Sequence, residues 1–180
     1  AKLTVKTYAP GSMWGTLENK AFIEPRALAI DKSGNYYVAD EGPFKVRKYG
    51  PERRAQISWG NEGKSLRSLK VPAGIAVDAE GACYITDARG GDVSKFDKAG
   101  KFVRKWGDRG PKESTLSTPL GIAVDGNYDV YVVDSGNSRI VKCTSAGVVK
   151  KTWGKAGSEP GQFNLPTELE YYDTNIPCLA

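Results

Sequence analysis

One seven-residue word recurs through this chain at a fixed interval, and that interval constrains the fold more than any other feature. Pro25-Arg26-Ala27-Leu28-Ala29-Ile30-Asp31 returns as Pro72-Ala73-Gly74-Ile75-Ala76-Val77-Asp78, and again as Pro119-Leu120-Gly121-Ile122-Ala123-Val124-Asp125, each time after 47 residues. Pro166 stands another 47 residues on, heading Leu169-Glu170-Tyr171-Tyr172. A second word keeps step: Tyr37-Val38-Ala39-Asp40, Tyr84-Ile85-Thr86-Asp87 and Tyr131-Val132-Val133-Asp134. So does a third: Trp59-Gly60, Trp106-Gly107 and Trp153-Gly154. A period of this length signals stacked supersecondary units, none of which can bury its faces alone.

Within one period the pattern predicts four short strands. In the third copy these are A (Gly121–Val124), B (Val130–Val133), C (Arg139–Cys143) and D (Val148–Trp153). Asp125-Gly126-Asn127 supplies turn chemistry between A and B, because Asp bonds nearby backbone and Gly and Asn tolerate positive φ. Strands A and B are apolar on both faces, as expected of strands sandwiched between neighbouring sheets. Strand D alternates and carries charge, as an outer strand should. Four antiparallel strands repeated radially make an all-β propeller of four-stranded blades.

The words also resemble a known family. Pro-x-Gly-Ile-Ala-Val-Asp, then the run Tyr131 to Ile140, then Trp153 to Pro166, is similar to the NHL repeat. The resemblance covers residues 25–166 in three copies, of which the third is nearest the family pattern. The second departs at Ala88-Arg89-Gly90-Gly91 and the first at Glu41-Gly42-Pro43-Phe44. It implies blade units of about 25–71, 72–118 and 119–165.

A fourth unit is expected from 166–180 plus 1–24. Val5, Lys6 and Tyr8 echo Val46, Arg47 and Tyr49, and Trp14-Gly15 echoes Trp59-Gly60, so this stretch reads as strands C and D. Leu169 and Tyr171 take strand A positions, and Cys178-Leu179-Ala180 align with strand B. The chain therefore reads as a circle of four blades cut between strands B and C. Three arrangements fit: a closed four-bladed monomer with one blade shared by both ends, half of a two-chain ring of eight blades, or a piece of a longer protein. The last follows from the resemblance, because NHL propellers usually have six blades.

Composition narrows the function classes. The chain has 180 residues and no histidine, which removes the commonest general base, the Ser–His and Cys–His pairs and imidazole metal sites. Amidating lyases, relatives by fold, rely on histidine-bound metal that this chain cannot reproduce. Net charge is +5, which admits an acidic partner such as RNA or an anionic surface. Yet Lys98, Lys101, Arg104, Lys105, Lys150 and Lys151 fall in and beside strands C and D, where lysine blocks edge-to-edge pairing. Cys83, Cys143 and Cys178 form no CxxC pair and read as buried free thiols.

Two sets of residues recur once per blade and read as structural. Asp40, Asp87 and Asp134 end strand B, where each is expected to accept backbone N–H bonds in its own B–C turn; carboxylates repeated on one face are also the oxygen ligands a hard cation takes. Asp31, Asp78 and Asp125 have the same expectation in the A–B turn. Trp14, Trp59, Trp106 and Trp153 are expected to pack between blades rather than to stack bases at one site.

One face of a propeller carries the B–C and D–A loops together. Lys45, Lys64, Arg67, Arg89, Arg109, Arg139 and Lys155 are the candidate binding residues there, mixed with Glu41, Glu62, Asp92, Asp108, Glu113 and Glu159. The expected function is a non-enzymatic scaffold that docks a protein or peptide on this face, with no cofactor. Two alternatives remain open: single-stranded RNA binding, which the resemblance admits, and a hydrolase or lactonase-like enzyme with a carboxylate-held metal in the central channel.

Overall fold

The computed structural model describes residues 22–60, 68–107 and 113–171. Twelve strands are present among them. The first blade holds β1 (Pro25–Ile30), β2 (Tyr36–Asp40), β3 (Lys45–Tyr49) and β4 (Ala55–Trp59). The second holds β5 (Pro72–Val77), β6 (Cys83–Asp87), β7 (Asp92–Phe96) and β8 (Phe102–Trp106). The third holds β9 (Pro119–Val124), β10 (Asp129–Asp134), β11 (Arg139–Thr144) and β12 (Val149–Trp153). Each blade is an antiparallel sheet with its strands in sequence order. The expected A, B, C and D strands of the third copy thus appear within a residue or two of their sequence bounds. The fold is a β-propeller, with three blades among the described residues. Most of the fourth unit, 172–180 and 1–21, lies outside them.

The hydrophobic cores lie between blades. Tyr37, Ala39, Val46 and Trp59 of the first blade meet Ile75, Cys83, Ile85 and Phe96 of the second. Ala76, Tyr84 and Val93 of the second meet Ile122, Val130, Val132 and Cys143 of the third. The two-residue alternation of a strand explains this division: along β6, Cys83 and Ile85 face one neighbour while Tyr84 and Thr86 face the other. Thr86 Oγ1 accepts from Gly74 N at 2.7 Å and donates to Leu120 O at 2.5 Å, tying β5, β6 and β9 together. A Cβ on Gly74 would stand 2.3 Å from that same carbonyl, so the close approach of the two blades requires glycine here.

Trp59 and Trp106 pack between blades, whereas Trp153 is 37 % exposed on the flank of the third blade. Trp59, Trp106 and Trp153 each set an edge against the tyrosine of their own strand B, Tyr37, Tyr84 and Tyr131, with centroids 6.2–6.3 Å apart. The next blade's C–D hairpin closes over the ring through Gly100 on Trp59 and Gly147 on Trp106. Trp14 lies outside the described residues.

Both aspartate sets are hydrogen-bonded and, apart from half-buried Asp31, buried, but the strand B set is bonded differently from expectation. Asp87 accepts from Lys70 N at 2.6 Å and Val71 N at 3.0 Å, and from Gly90 N at 2.7 Å in its own B–C turn. Asp40 accepts from Ile23 N and Glu24 N, and Asp134 from Ser117 N at 2.6 Å. The principal partners are therefore the backbone entering strand A, not the B–C turn. The reason is topological: the incoming segment brings unpaired N–H groups past the end of strand B, and a buried donor needs an acceptor.

The A–B turns follow expectation. Oδ1 of Asp31, Asp78 and Asp125 each accepts two turn N–H groups, and Oδ2 accepts the hydroxyl of Tyr37, Tyr84 or Tyr131 at 3.0 Å. Burial, and then the Asp78 carboxylate, hold the Tyr84 phenol well above its ordinary range. The positive φ in the third of these turns falls on Tyr128, not on Gly126 or Asn127, matching Gly34 and Gly81 in the other blades. The B–C turns also coincide despite their unlike sequences: Phe44, Gly91 and Ser138 each take the left-handed conformation.

Two outcomes test this packing. Gly147 has φ +84°, and a Cβ would lie 2.5 Å from Trp106 Cγ. Gly147→Ala should lower stability by about 2 kcal/mol in urea unfolding, against less than about 0.5 kcal/mol for exposed, unstrained Ala99→Gly in the sister hairpin. Burial pushes the Cys143 thiol up to about 11 and Cys83 higher still. At pH 8 a thiol-titrating disulfide reagent should therefore leave both unmodified in the native protein and modify both after unfolding.

Candidate functional site

The first position of each strand A is a proline, tolerated there because the ladder does not need its missing N–H. The residue after it changes from copy to copy: Arg26, Ala73, Leu120 and Thr167. In three copies that residue lies in a strand A, while Thr167 lies in the irregular segment after Pro166, and the four positions converge at one mouth. They line one cavity of about 380 Å³, together with Glu41 and Ala88, the residues that follow the strand B aspartates. Val71, Gly74, Gly121 and Glu168 complete its wall.

The cavity has an apolar side and a charged side. Ala73, Ala88, Val71 and Leu120 supply small and aliphatic surface. Opposite them Arg26 Nε donates to Glu41 Oε2 at 2.5 Å, an exposed pair with Arg26 54 % accessible. The Arg26 guanidinium has further N–H donors beyond the one given to Glu41, of a kind suited to a carboxylate or carbonyl. Further along the axis a second cavity of about 450 Å³ is walled by Leu28, Ile75, Ile122 and Leu169, with Glu168 and Glu170 on one side. No group of three or more His, Cys, Asp or Glu side chains is arranged to hold a metal among the described residues.

The candidate basic residues separate on inspection. Arg89 is exposed in a B–C turn, and Lys155 is exposed just after β12. Lys45 opens β3, half-buried, opposite Asp40 in the ladder. Arg139 is committed to structure: its Nε donates to Asp134 Oδ2 at 2.7 Å and its guanidinium to Thr115 O at 2.7 Å. The Asp134 carboxylate it braces is fully buried. Lys64, Arg67 and Arg109 lie outside the described residues. Of the mixed acids on this face, Asp92 pairs with Lys105 at 3.1 Å.

Sequence reasoning missed the cavity itself. It sought charges on the loops, whereas four of the lining residues come from the position after the proline, where the repeated word changes most in chemistry. That variability was the available signal.

Comparison with known proteins agrees with the fold. The NHL repeat family model matches residues 116–143, so the third blade carries an NHL repeat, consistent with an NHL-repeat β-propeller family. No curated protein matches the sequence significantly. Among solved structures, selenomethionine-substituted virginiamycin B lyase from Staphylococcus aureus is similar at TM-score 0.57 and 14 % identity, over 75 % of this chain and 42 % of that one. The RRP9 WD40 repeats are similar at 0.60 and 12 %, over 72 % and 38 %. A chain of a nidogen/laminin complex is similar at 0.58 and 17 %, over 74 % and 48 %. This chain spans less than half the length of each, and the likeness is one of fold. No helix among the described residues is long and apolar enough to cross a membrane.

The separation of the arginines yields a prediction. Arg139→Ala strips a partner from buried Asp134 and should cost about 2 kcal/mol in urea unfolding, whereas Lys155→Ala should stay within about 0.5 kcal/mol.

Proposed function

We propose that the chain is a non-enzymatic propeller scaffold that binds a protein or peptide through the B–C/D–A loop face. The observation that carries this reading is the axial cavity whose lining is drawn from the variable position of every copy. A repeated frame that keeps the aspartates and tyrosines of each blade while residues at one mouth differ in chemistry suits recognition, with the frame for rigidity and the differing residues for specificity. The cavity fits an apolar side chain against Ala73, Ala88 and Leu120, with a backbone carbonyl or carboxylate of the same segment meeting Arg26. Against an enzyme stands the lack of histidine in the chain, and the neutralisation of Arg26 by Glu41 leaves no opposed acid and base at this mouth. A propeller similar in fold lies in a nidogen/laminin complex, in keeping with protein partners. RNA binding is the weaker reading, since Arg139 is paired with Asp134 and acids share this face.

The test uses a displayed random peptide library on the immobilised full chain. Selected peptides should share an aliphatic or aromatic residue and should lose at least about tenfold in affinity against Leu120→Arg, which fills the mouth without disturbing the Leu120 carbonyl. Selected peptides that bind that variant equally well would overturn the proposal. So would failure to select any peptide alongside salt-sensitive binding of an oligouridine probe.

A further inference from the structure

A separate cleft of about 170 Å³ lies between the first two blades, on the A–B and C–D turns and away from the axial mouth. Its walls are the A–B turns of both blades and the C–D hairpin of the second. They bring together Lys32, Lys48 and Lys98.

The cleft is open because of Gly81, which has φ +85°. A Cβ there would stand 3.3 Å from Lys98 Cβ. The residue 47 places on is Tyr128, whose hydroxyl donates to Glu80 Oε1 at 3.3 Å. At the second junction a tyrosine ring therefore spans the gap from one A–B turn to the next. At the first junction the corresponding pair is Gly81 and Ser33, and the gap is left as the cleft.

The same comparison singles out the lysines. Lys48 is half-buried, with Nζ 5.0 Å from the centre of the Tyr37 ring, while Lys32 and Lys98 are exposed. Among the described residues none of the three forms an ion pair. Their counterparts differ: Ala79 and Ser145 stand in place of Lys32 and Lys98 at the second junction, and Lys142, the counterpart of Lys48 in the third blade, is held by Asp129 at 2.9 Å. Two carboxylates share the cleft, and both are engaged. Asp31 Oδ1 accepts from Ser33 N and Asn35 N, and its Oδ2 from Asn35 Nδ2 and the Tyr37 hydroxyl. Glu80 accepts from Tyr128. Three ammonium groups around one concave site draw an anion, and lysine meets phosphate as a point charge. The Ser33 hydroxyl adds a donor. The small volume and polar lining suit one compact oxyanion.

We propose that this cleft binds a phosphate group, as the free ion or as a phosphomonoester, held by Lys32, Lys48 and Lys98. The site is distinct from the axial mouth and stands or falls independently of peptide binding there.

Isothermal titration of the full chain at low ionic strength, with inorganic phosphate and separately with glycerol phosphate, tests the site. At least one of the two should bind saturably with one site per chain. Lys48→Gln and Lys98→Gln should each weaken that binding by at least about fivefold. Lys101→Gln, in the same hairpin but outside the cleft, should leave it unchanged. Tighter binding of the ester supports a phosphorylated small molecule as the ligand, and tighter binding of the ion supports free phosphate. No saturation by either ligand below about 10 mM would overturn the proposal. So would an equal loss from Lys98→Gln and Lys101→Gln, which would mark attraction to the overall positive charge rather than to this cleft.

Discussion

The structure depends on a buried carboxylate at the end of each strand B. Asp40, Asp87 and Asp134 are fully buried and hold the backbone that arrives from the previous blade just before it turns into strand A. Without an acceptor there, the crossing between blades would bury unpaired N–H groups, each costing about 1–3 kcal/mol. The aspartate fixes where strand A begins, the proline fixes its direction, and the next residue is delivered to the axis. The position of the cavity follows from that sequence of constraints.

Much of this was legible in the sequence because the physical requirements repeat. The period gave the strands, their order and their turns. Trp59 and Trp106 could be read as packing residues since a binding residue need not recur in step with a blade. The Asp bonds were misplaced because sequence shows neighbours along the chain: Lys70 and Val71 precede Asp87 by 17 and 16 residues yet touch it. The Arg139–Asp134 pair was hidden for a similar reason, because distance is not written in the order of residues. The left-handed Tyr128 shows a third kind of miss, where the turn geometry imposed by two sister glycines overrides the preference of the residue in place.

The site was illegible for a different reason. Repeats draw attention to what is constant, and the cavity is made from what is not. Arg26, Ala73, Leu120 and Thr167 share a position without sharing a chemistry. Changing any one of them alters the mouth and leaves the aspartate clamps, the tyrosine hydroxyl bonds and the tryptophan packing untouched.

Placing the cores between sheets rather than inside them has a consequence for how the molecule opens. No blade owns an interior, so stability accrues with each junction formed and not with each sheet completed. The second blade is flanked on both sides by described junctions, through Cys83 and Ile85 toward one neighbour and Tyr84 toward the other. Among the described blades its amides should exchange most slowly, because opening one junction leaves the other in place. The three described blades behave like a short row of magnets, in which the middle one is held from both sides.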